Sequence, residues 1–239
     1  MQATATLQEI TIHIARSERQ YARILDLRAR MRAAGGSSHG SAGARRDHQR
    51  NAVLLLAESV QDGEALGTLR ILAGDRGPLA IDEHTGLPLA LQHRSVAEAS
   101  CLVVRPGADA GHVRRMLWKA WYRYSRIARL RVMLACVPRA LVPACEGLGM
   151  ADITPASIGA QPYRSDVPGR RLMQLDVAGL RDWMLRQQHP LCGFMLDEPH
   201  PEIDLIGLPD QAVLSAHRGG DAPGRSLPSA VSVAGLAVV

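Results

Sequence analysis

The sequence predicts an α/β fold in which a mixed, twisted sheet carries helices on both faces. Three observations lead there. Residues 97–150 change period twice, from a short apolar run through a long helical repeat to a nearly uninterrupted apolar run. A strand–helix–strand unit of that length joins parallel strands by a right-handed crossover, and the second run suits a strand covered on both faces. By contrast, residues 51–58 and 64–72 read as two strands around Gln61-Asp62-Gly63, an antiparallel hairpin.

Composition narrows the class. A hydrophobic content of 46% in 239 residues is enough for one large core, which argues against a disordered chain. No apolar run approaches the ~18 residues that span a bilayer. The opening MQATATLQEITIHIAR lacks the basic start and apolar block of a signal peptide. Cys101, Cys136, Cys145 and Cys192 form no CxxC pair, so the expected compartment is a reducing cytoplasm. The net charge of +5 is carried almost wholly by arginine, Lys119 being the sole lysine. Such a balance suits an acidic partner, but no nucleic-acid-binding motif accompanies it.

Taken in order, residues 10–14 alternate as an opening strand. Ser17 is placed to cap a helix whose apolar positions Tyr21, Ile24, Leu25, Leu27 and Met31 follow helical spacing. Residues 33–46 are a glycine- and serine-rich loop. Its formal G-x-S-x-G at residues 36–40 lacks the strand before and helix after that a nucleophile elbow needs. Arg70 stands inside the second hairpin strand between Leu69 and Ile71, so it must find an ion-pair partner or line a site. Residues 74–96 are a long, proline-punctuated excursion of the kind that forms lids or binding walls. Glu98 then enters an apolar strand, which reads as a sheet-edge ion pair with Arg70 or Arg94, or as a base tuned by burial. Residues 99–104 are that strand, and Arg105-Pro106-Gly107 ends it.

The helix from Gly111 has Val113, Leu117, Ala120, Trp121, Tyr124, Ile127 and Ala128 on one face. Arg115, Lys119, Arg123 and Arg126 lie roughly opposite, as a solvated stripe. The turn from Gly107 to Gly111 brings a helix N-terminus beside the strand end, a place for an anionic ligand. A short helix ending at Gly147 or Gly149, a turn-rich stretch over 151–168, a strand over 171–177 and a helix over 178–186 complete the domain. Residues 196–204 (LDEPHPEID) gather Asp197, Glu198, His200, Glu202 and Asp204. Two prolines and no standard ligand spacing make this a solvated acidic loop, and no metal site is expected. The domain is therefore expected over residues 1–195, with 196–239 as acidic/proline loop and disordered tail.

This order of elements resembles the GNAT acyltransferase fold, and within it the branch of long-chain N-acyl amino acid synthases and acyl-homoserine-lactone synthases. The matching residues are Leu27-Arg28, Asn51 to Ala57, Gly67-Thr68-Leu69-Arg70, Glu98-Ala99-Ser100, and Pro138 to Met150 with its Gly-Leu-Gly-Met ending. The resemblance implies a fatty acyl donor on a phosphopantetheine arm, usually of acyl carrier protein, and an amine acceptor. It places Glu98 as the base, with Ser100 beside it in the catalytic set. Arg28, Asp47, Arg70 and Cys101 fall at acceptor positions. The donor arm would run along Leu102, Val103 and Val104 to the turn at Gly107 and Gly111, and the stripe Arg115, Lys119, Arg123 and Arg126 would dock the acidic carrier. No permanently bound cofactor is implied.

The sequence departs from the pattern twice. Relatives carry E-x-S-R where Cys101 stands here, and Asp47 has no second aspartate beside it. Two alternatives therefore stay open: an acyl-coenzyme A-dependent acetyltransferase, and a binding or regulatory protein on a catalytically degenerate fold.

Overall fold

The computed structural model describes residues 9–34, 47–49, 51–83, 87, 91, 95–107, 109–153 and 169–206. Strand β1 (Ile10–Ile14) leads to helix α1 (Glu18–Ala33). A capping box fixes that entry: the Gln20 amide donates to Ser17 Oγ at 3.3 Å, and the Ser17 amide donates to Gln20 Oε1 at 3.0 Å. The hairpin follows as β2 (Ala52–Ser59) and β3 (Ala65–Ala73). Gly63 takes φ +65° in its turn, and the Glu64 amide donates to Asp62 Oδ1 at 3.0 Å. Strand β4 (Val96–Val104) pairs antiparallel with β3. Helix α2 (Ala110–Ile127) then crosses over to β5 (Val132–Pro138), which is parallel to β4.

Helix α3 (Val142–Glu146), the two-residue strand β6 (Ala151–Asp152), β7 (Arg170–Asp176), α4 (Leu180–Arg186) and β8 (Ile203–Asp204) complete the unit. The sheet has eight strands in the order β6-β7-β5-β4-β3-β2-β1-β8. Its mixed character is as the crossover and the hairpin predict.

The two long helices cover opposite faces. Ile24 and Leu27 of α1 pack fully buried against Leu54 and Leu56 of β2. Side chains alternate along β3, so Gly67 and Arg70 point to different faces. At Gly67 the α2 helix lies so close that a Cβ would sit 2.8 Å from Val113 Cγ1. Burial of Met116, Leu117, Trp121 and Tyr124 anchors α2 on that second face. Among the described residues, no helix is long and apolar enough to cross a membrane.

Three expectations are corrected. The compact unit runs to Ile206 rather than 195, and residues 207–239 lie outside the described residues. Residues 196–204 keep Asp197, Glu198, Glu202 and Asp204 exposed, as expected, but they are tied to the sheet: β8 pairs in parallel with β1, and the Ile12 amide donates to the Glu202 carbonyl at 2.8 Å. This covers a sheet edge that would otherwise present unpaired backbone groups. His200 lies between Glu198 (Nε2 to Oε2, 3.4 Å) and Glu202 (Nδ1 to Oε2, 3.6 Å).

The third correction concerns the basic stripe. Lys119 is 2% exposed, and its Nζ donates to the carbonyls of Phe194 and Glu198. Arg123 Nη1 donates to the His200 carbonyl at 2.9 Å. The segment from Gly193 to Asp204 thus lies over the part of α2 that the helical wheel assigns to solvent. Burial pushes the Lys119 amine below its ordinary range, with the Glu198 carboxylate pulling the other way. Arg126 remains exposed and Arg115 half-buried. The chain from 84 to 94, apart from Leu87 and Leu91, and the glycine- and serine-rich loop over 35–46 lie outside the described residues.

Candidate active site

The site begins with a fault in β4. Arg70 pairs with Ser100, but Thr68 pairs with Val103, so Cys101 and Leu102 together oppose Leu69. This is a β-bulge, and its first residue, Cys101, sits at φ +53°. A left-handed conformation costs a non-glycine residue roughly 1–2 kcal/mol, so the surrounding sheet must hold it there.

Immediately before the bulge, β4 parts from β5. Their pairing runs from Val96–Val132 to Ala99–Ala135 and stops. Beyond that point β4 stays with β3 as far as Val104, while β5 stays with β7 as far as Pro138. The two parallel strands therefore open as a wedge toward their C-terminal ends. The Gly107–Gly111 turn and the start of α2 stand at the mouth on the β4 side. Helix α2 has Asp109 as its N-cap residue, whose side chain makes no capping hydrogen bond.

A partly open pocket of about 620 Å³, its mouth included, fills the wedge. The sheet side is Leu69, Ala99, Ser100, Cys101, Leu102 and residues 135–138. The other walls are Trp118 and Trp121 of α2, and Leu141, Cys145 and Met150 around α3, with Arg170 at its edge. Apart from Ser100 and Arg170, this lining is almost wholly apolar. Arg170 Nη1 donates to the Cys136 carbonyl at 3.2 Å. Burial, with Glu146 adding to it, pushes the Cys145 thiol up to about 11, so it stays protonated at neutral pH.

Across the sheet, Ser100 joins a buried ionic cluster. Arg70 Nε donates to Ser100 Oγ at 3.0 Å, and Arg70 Nη1 donates to Asp47 Oδ1 at 3.3 Å. Arg28 Nη1 donates to Asp47 Oδ2 at 2.7 Å. All three charged residues are at most 9% exposed. Asp47 thus bridges two arginines. Arg28 also keeps Nε and Nη2 without a hydrogen-bond partner among the described residues. A buried donor in that position is costly unless another acceptor reaches it.

Glu98 lies two residues before Ser100 and faces the same way. It is 2% exposed, stands between Leu72 and Leu134 in register, and its Oε2 accepts the Ile81 amide at 3.1 Å. One wall of its surroundings is thus the start of the excursion after β3, where Leu79 and Ile81 pack with Leu72 and Leu134.

The structure therefore brings Arg28, Asp47, Arg70 and Ser100 into one network, with Glu98 on the same strand face. Cys101 and Leu102 face the pocket, whereas Val103 packs toward α1 beside Leu54 and Leu56. Val104, Gly107 and Gly111 follow at the open end of β4 and are not among the residues that line the pocket. The pocket's helical wall, Trp118 and Trp121, is not among the residues that the sequence marks as site candidates. Their i,i+3 spacing beside a glycine turn is the signal that could have found it.

A wedge between parallel strands four and five, opened by a bulge and followed by a helix that starts at its mouth, defines the GNAT fold, and this chain has it. The N-acyl amino acid synthase FeeM, from uncultured soil microbes, superposes with a TM-score of 0.60 at 16% identity, covering 78% of this chain and 100% of its own. The coenzyme A-dependent acyl-homoserine lactone synthase BjaI gives 0.55 at 16% identity, covering 88% and 100%. A GNAT-family acetyltransferase from Staphylococcus aureus Mu50 gives 0.50 at 9% identity, covering 71% and 99%. No protein-family model and no curated protein sequence matches the chain.

Proposed function

We propose that the protein is a cytoplasmic N-acyltransferase that moves a fatty acyl group from the phosphopantetheine thioester of acyl carrier protein to the amino group of an amino acid or related amine. The observation that carries this reading is the apolar wedge pocket meeting the Arg28–Asp47–Arg70 cluster at a single residue, Ser100. An acyl thioester suits the apolar side. An acceptor bearing a carboxylate suits the Arg28 end of the cluster, where Nε and Nη2 have no hydrogen-bond partner among the described residues.

The amine nitrogen attacks the thioester carbonyl and the C–S bond breaks. Glu98 accepts the ammonium proton, directly or through water, and the departing sulfur leaves as the pantetheine thiol after protonation. The thioester is already activated, so holding both reactants in line supplies much of the rate. Leu102, Val104 and the turn at Gly107 and Gly111 line the path of the arm.

The test is mass spectrometry of organic extracts from cells that express the protein, beside Glu98→Gln. Glutamine keeps an oxygen for the Ile81 amide and cannot accept the proton, so it isolates the base, worth ~10²–10⁴ in rate. New N-acylated amines that fall by that factor in the variant support the reading. Soluble protein without any acylated amine would favour a degenerate fold that only binds.

A coenzyme A thioester as donor is the second reading, and one observation favours it. Of the four stripe residues, Lys119 and Arg123 are occupied by backbone carbonyls, which leaves Arg115 and Arg126 to meet an acidic carrier. Initial rates with the same acyl group on carrier protein and on coenzyme A, at low and high salt, separate the two. Only carrier docking should weaken strongly with salt.

A further inference from the structure

We propose that Asn51 is the positioning residue for the base, an inference that rests on the acyl-transfer reading above, in which Glu98 takes the proton. Glu98 belongs to a strand, but the amide that meets its carboxylate does not. Ile81, whose amide donates to Glu98 Oε2 at 3.1 Å, opens a 3₁₀ turn (Ile81–Glu83) in the excursion after β3. Hydrogen bonds are directional, so the setting of the carboxylate depends on where this turn is held against the sheet.

Apolar burial holds the turn down but does not aim it. Leu79 and Ile81, 4% and 2% exposed, pack with Leu72 and Leu134, and such contacts have no preferred direction. Asn51 supplies the direction. It is 2% exposed at the entry to β2, and its own carbonyl accepts the Ala73 amide at 3.0 Å. Its side-chain amide has two hydrogens to give, and two carbonyls take them. Nδ2 donates to Ala73, where β3 ends, at 3.3 Å, and to Pro78 in the excursion at 2.9 Å. Between Pro78 and Ile81 the Leu79 amide closes onto Asp82 Oδ2 at 2.8 Å, which shapes the turn itself. Gly77 packs directly on the Asn51 amide, where a Cβ would lie 3.0 Å from Cγ. A short run of directed contacts thus leads from Asn51 through Pro78 and the turn to Glu98. Asp47 and Asn51 stand four residues apart, so one segment carries both the partner of the arginines and the anchor of the base.

Asn51→Ala frees the Pro78 carbonyl and lets the Ile81 amide drift from the carboxylate. A displacement of about 1 Å costs up to ~10²-fold, so kcat should fall about 10–100-fold. Asn51 is not among the residues that line the pocket, so KM for the acyl donor should stay within about twofold. In Glu98→Gln no base is left to position, and adding Asn51→Ala should lower kcat by less than about twofold more. A merely structural role would lower both backgrounds alike. Rates are measured with the acyl chain and amine found in the products of expressing cells, the chain being supplied on carrier protein and on coenzyme A. Hydrogen exchange reads the anchor without turnover. The Ile81 amide should exchange about tenfold or more faster in Asn51→Ala, with the β3–β4 ladder unchanged.

An equal fall in both backgrounds, an undiminished kcat, or an Ile81 amide that exchanges as before overturns the inference and leaves the acyl-transfer reading intact. If circular dichroism shows that Asn51→Ala does not fold, Gly77→Ala, which crowds the Asn51 amide without removing it, carries the same comparison. No acylated amine from the unmodified protein overturns the acyl-transfer reading itself, and the inference with it.

Discussion

Asp47→Asn is the most informative single change, because it tests whether the polar side of the site is a closed ionic cluster. Asp47 is 5% exposed and is shared by Arg28 at 2.7 Å and Arg70 at 3.3 Å. Asparagine keeps the shape and one acceptor oxygen, but it removes the charge between two buried guanidinium groups. Removing one partner of a buried ion pair costs about 3–5 kcal/mol, since the remaining charge stays desolvated. For a chain of this size each kcal/mol shifts the midpoint by roughly 2–4 °C, so the variant should melt about 10 °C lower. Circular dichroism melts at low and high salt are the assay, and the loss should hardly change with salt because the pair is not solvent-screened. Adding Arg28→Met to the variant should restore part of the loss, which a purely steric defect would not. A loss under about 1 kcal/mol, or one abolished by salt, would mean that the cluster is solvated, and the argument for a buried anion-seeking site would fail.

Three further outcomes follow from particular contacts. Cys145 has its thiol raised from 9.0 to about 11. A raised folded value means the unfolded chain loses this proton first, so the stabilisation is intact below about pH 9 and is lost as pH rises through 11. Two pKa steps amount to about 2.7 kcal/mol, and urea melts across that window should show a smaller fall in Cys145→Ala than in the unmodified protein. Lys119→Met leaves the Phe194 and Glu198 carbonyls without their donor, at about 1–3 kcal/mol. Hydrogen exchange should then quicken by about tenfold or more from Gly193 to Asp204 and stay unchanged in the hairpin. Gly149 has φ +84°, and a Cβ there would lie 2.9 Å from Trp183 Cε3. Gly149→Ala should therefore lower the melting temperature by several degrees, from about 1–3 kcal/mol of strain and overpacking.

What the sequence disclosed depended on how local the cause was. Ser17 with Gln20 three residues later is a complete capping signal, and the helix starts where that signal puts it. The hairpin and the crossover were legible because period 2 and period 3.6 differ over eight residues or more. Strands β6 and β8 have two residues each, too few for any period, and they exist only because β7 and β1 offer unpaired edges. Lys119 was misplaced for a related reason. A helical wheel assigns faces without knowing that Phe194 and Glu198, 75 and 79 positions later, return to cover one. Arg28, Asp47 and Arg70 were named singly, but only the fold shows that one aspartate serves both arginines.

The bulge at Cys101 had no local signal, since a cysteine in an apolar run gives no sign of positive φ. Its consequence is nevertheless the geometry of the whole site. In an unbroken strand, Ser100 and Leu102 would share a face. With one extra residue at Cys101, the strand turns Leu102 into the pocket while Val103 swings toward α1, and Ser100 stays with Arg70. The same extra residue lets β4 keep its ladder with β3 beyond the point where it leaves β5. Cys101→Gly therefore separates two roles that the side chain and the backbone hold at one position. Glycine adopts φ +53° without the ~1–2 kcal/mol cost, but it removes a buried side chain worth a comparable amount. Stability should thus change little. If the bulge geometry rather than the thiol serves the site, acyl transfer should persist in the glycine variant. It should fall steeply when residue 101 is deleted, which restores an unbroken register with β3. Equal activity in the deletion and the glycine variant would refute the claim that the bulge builds the site.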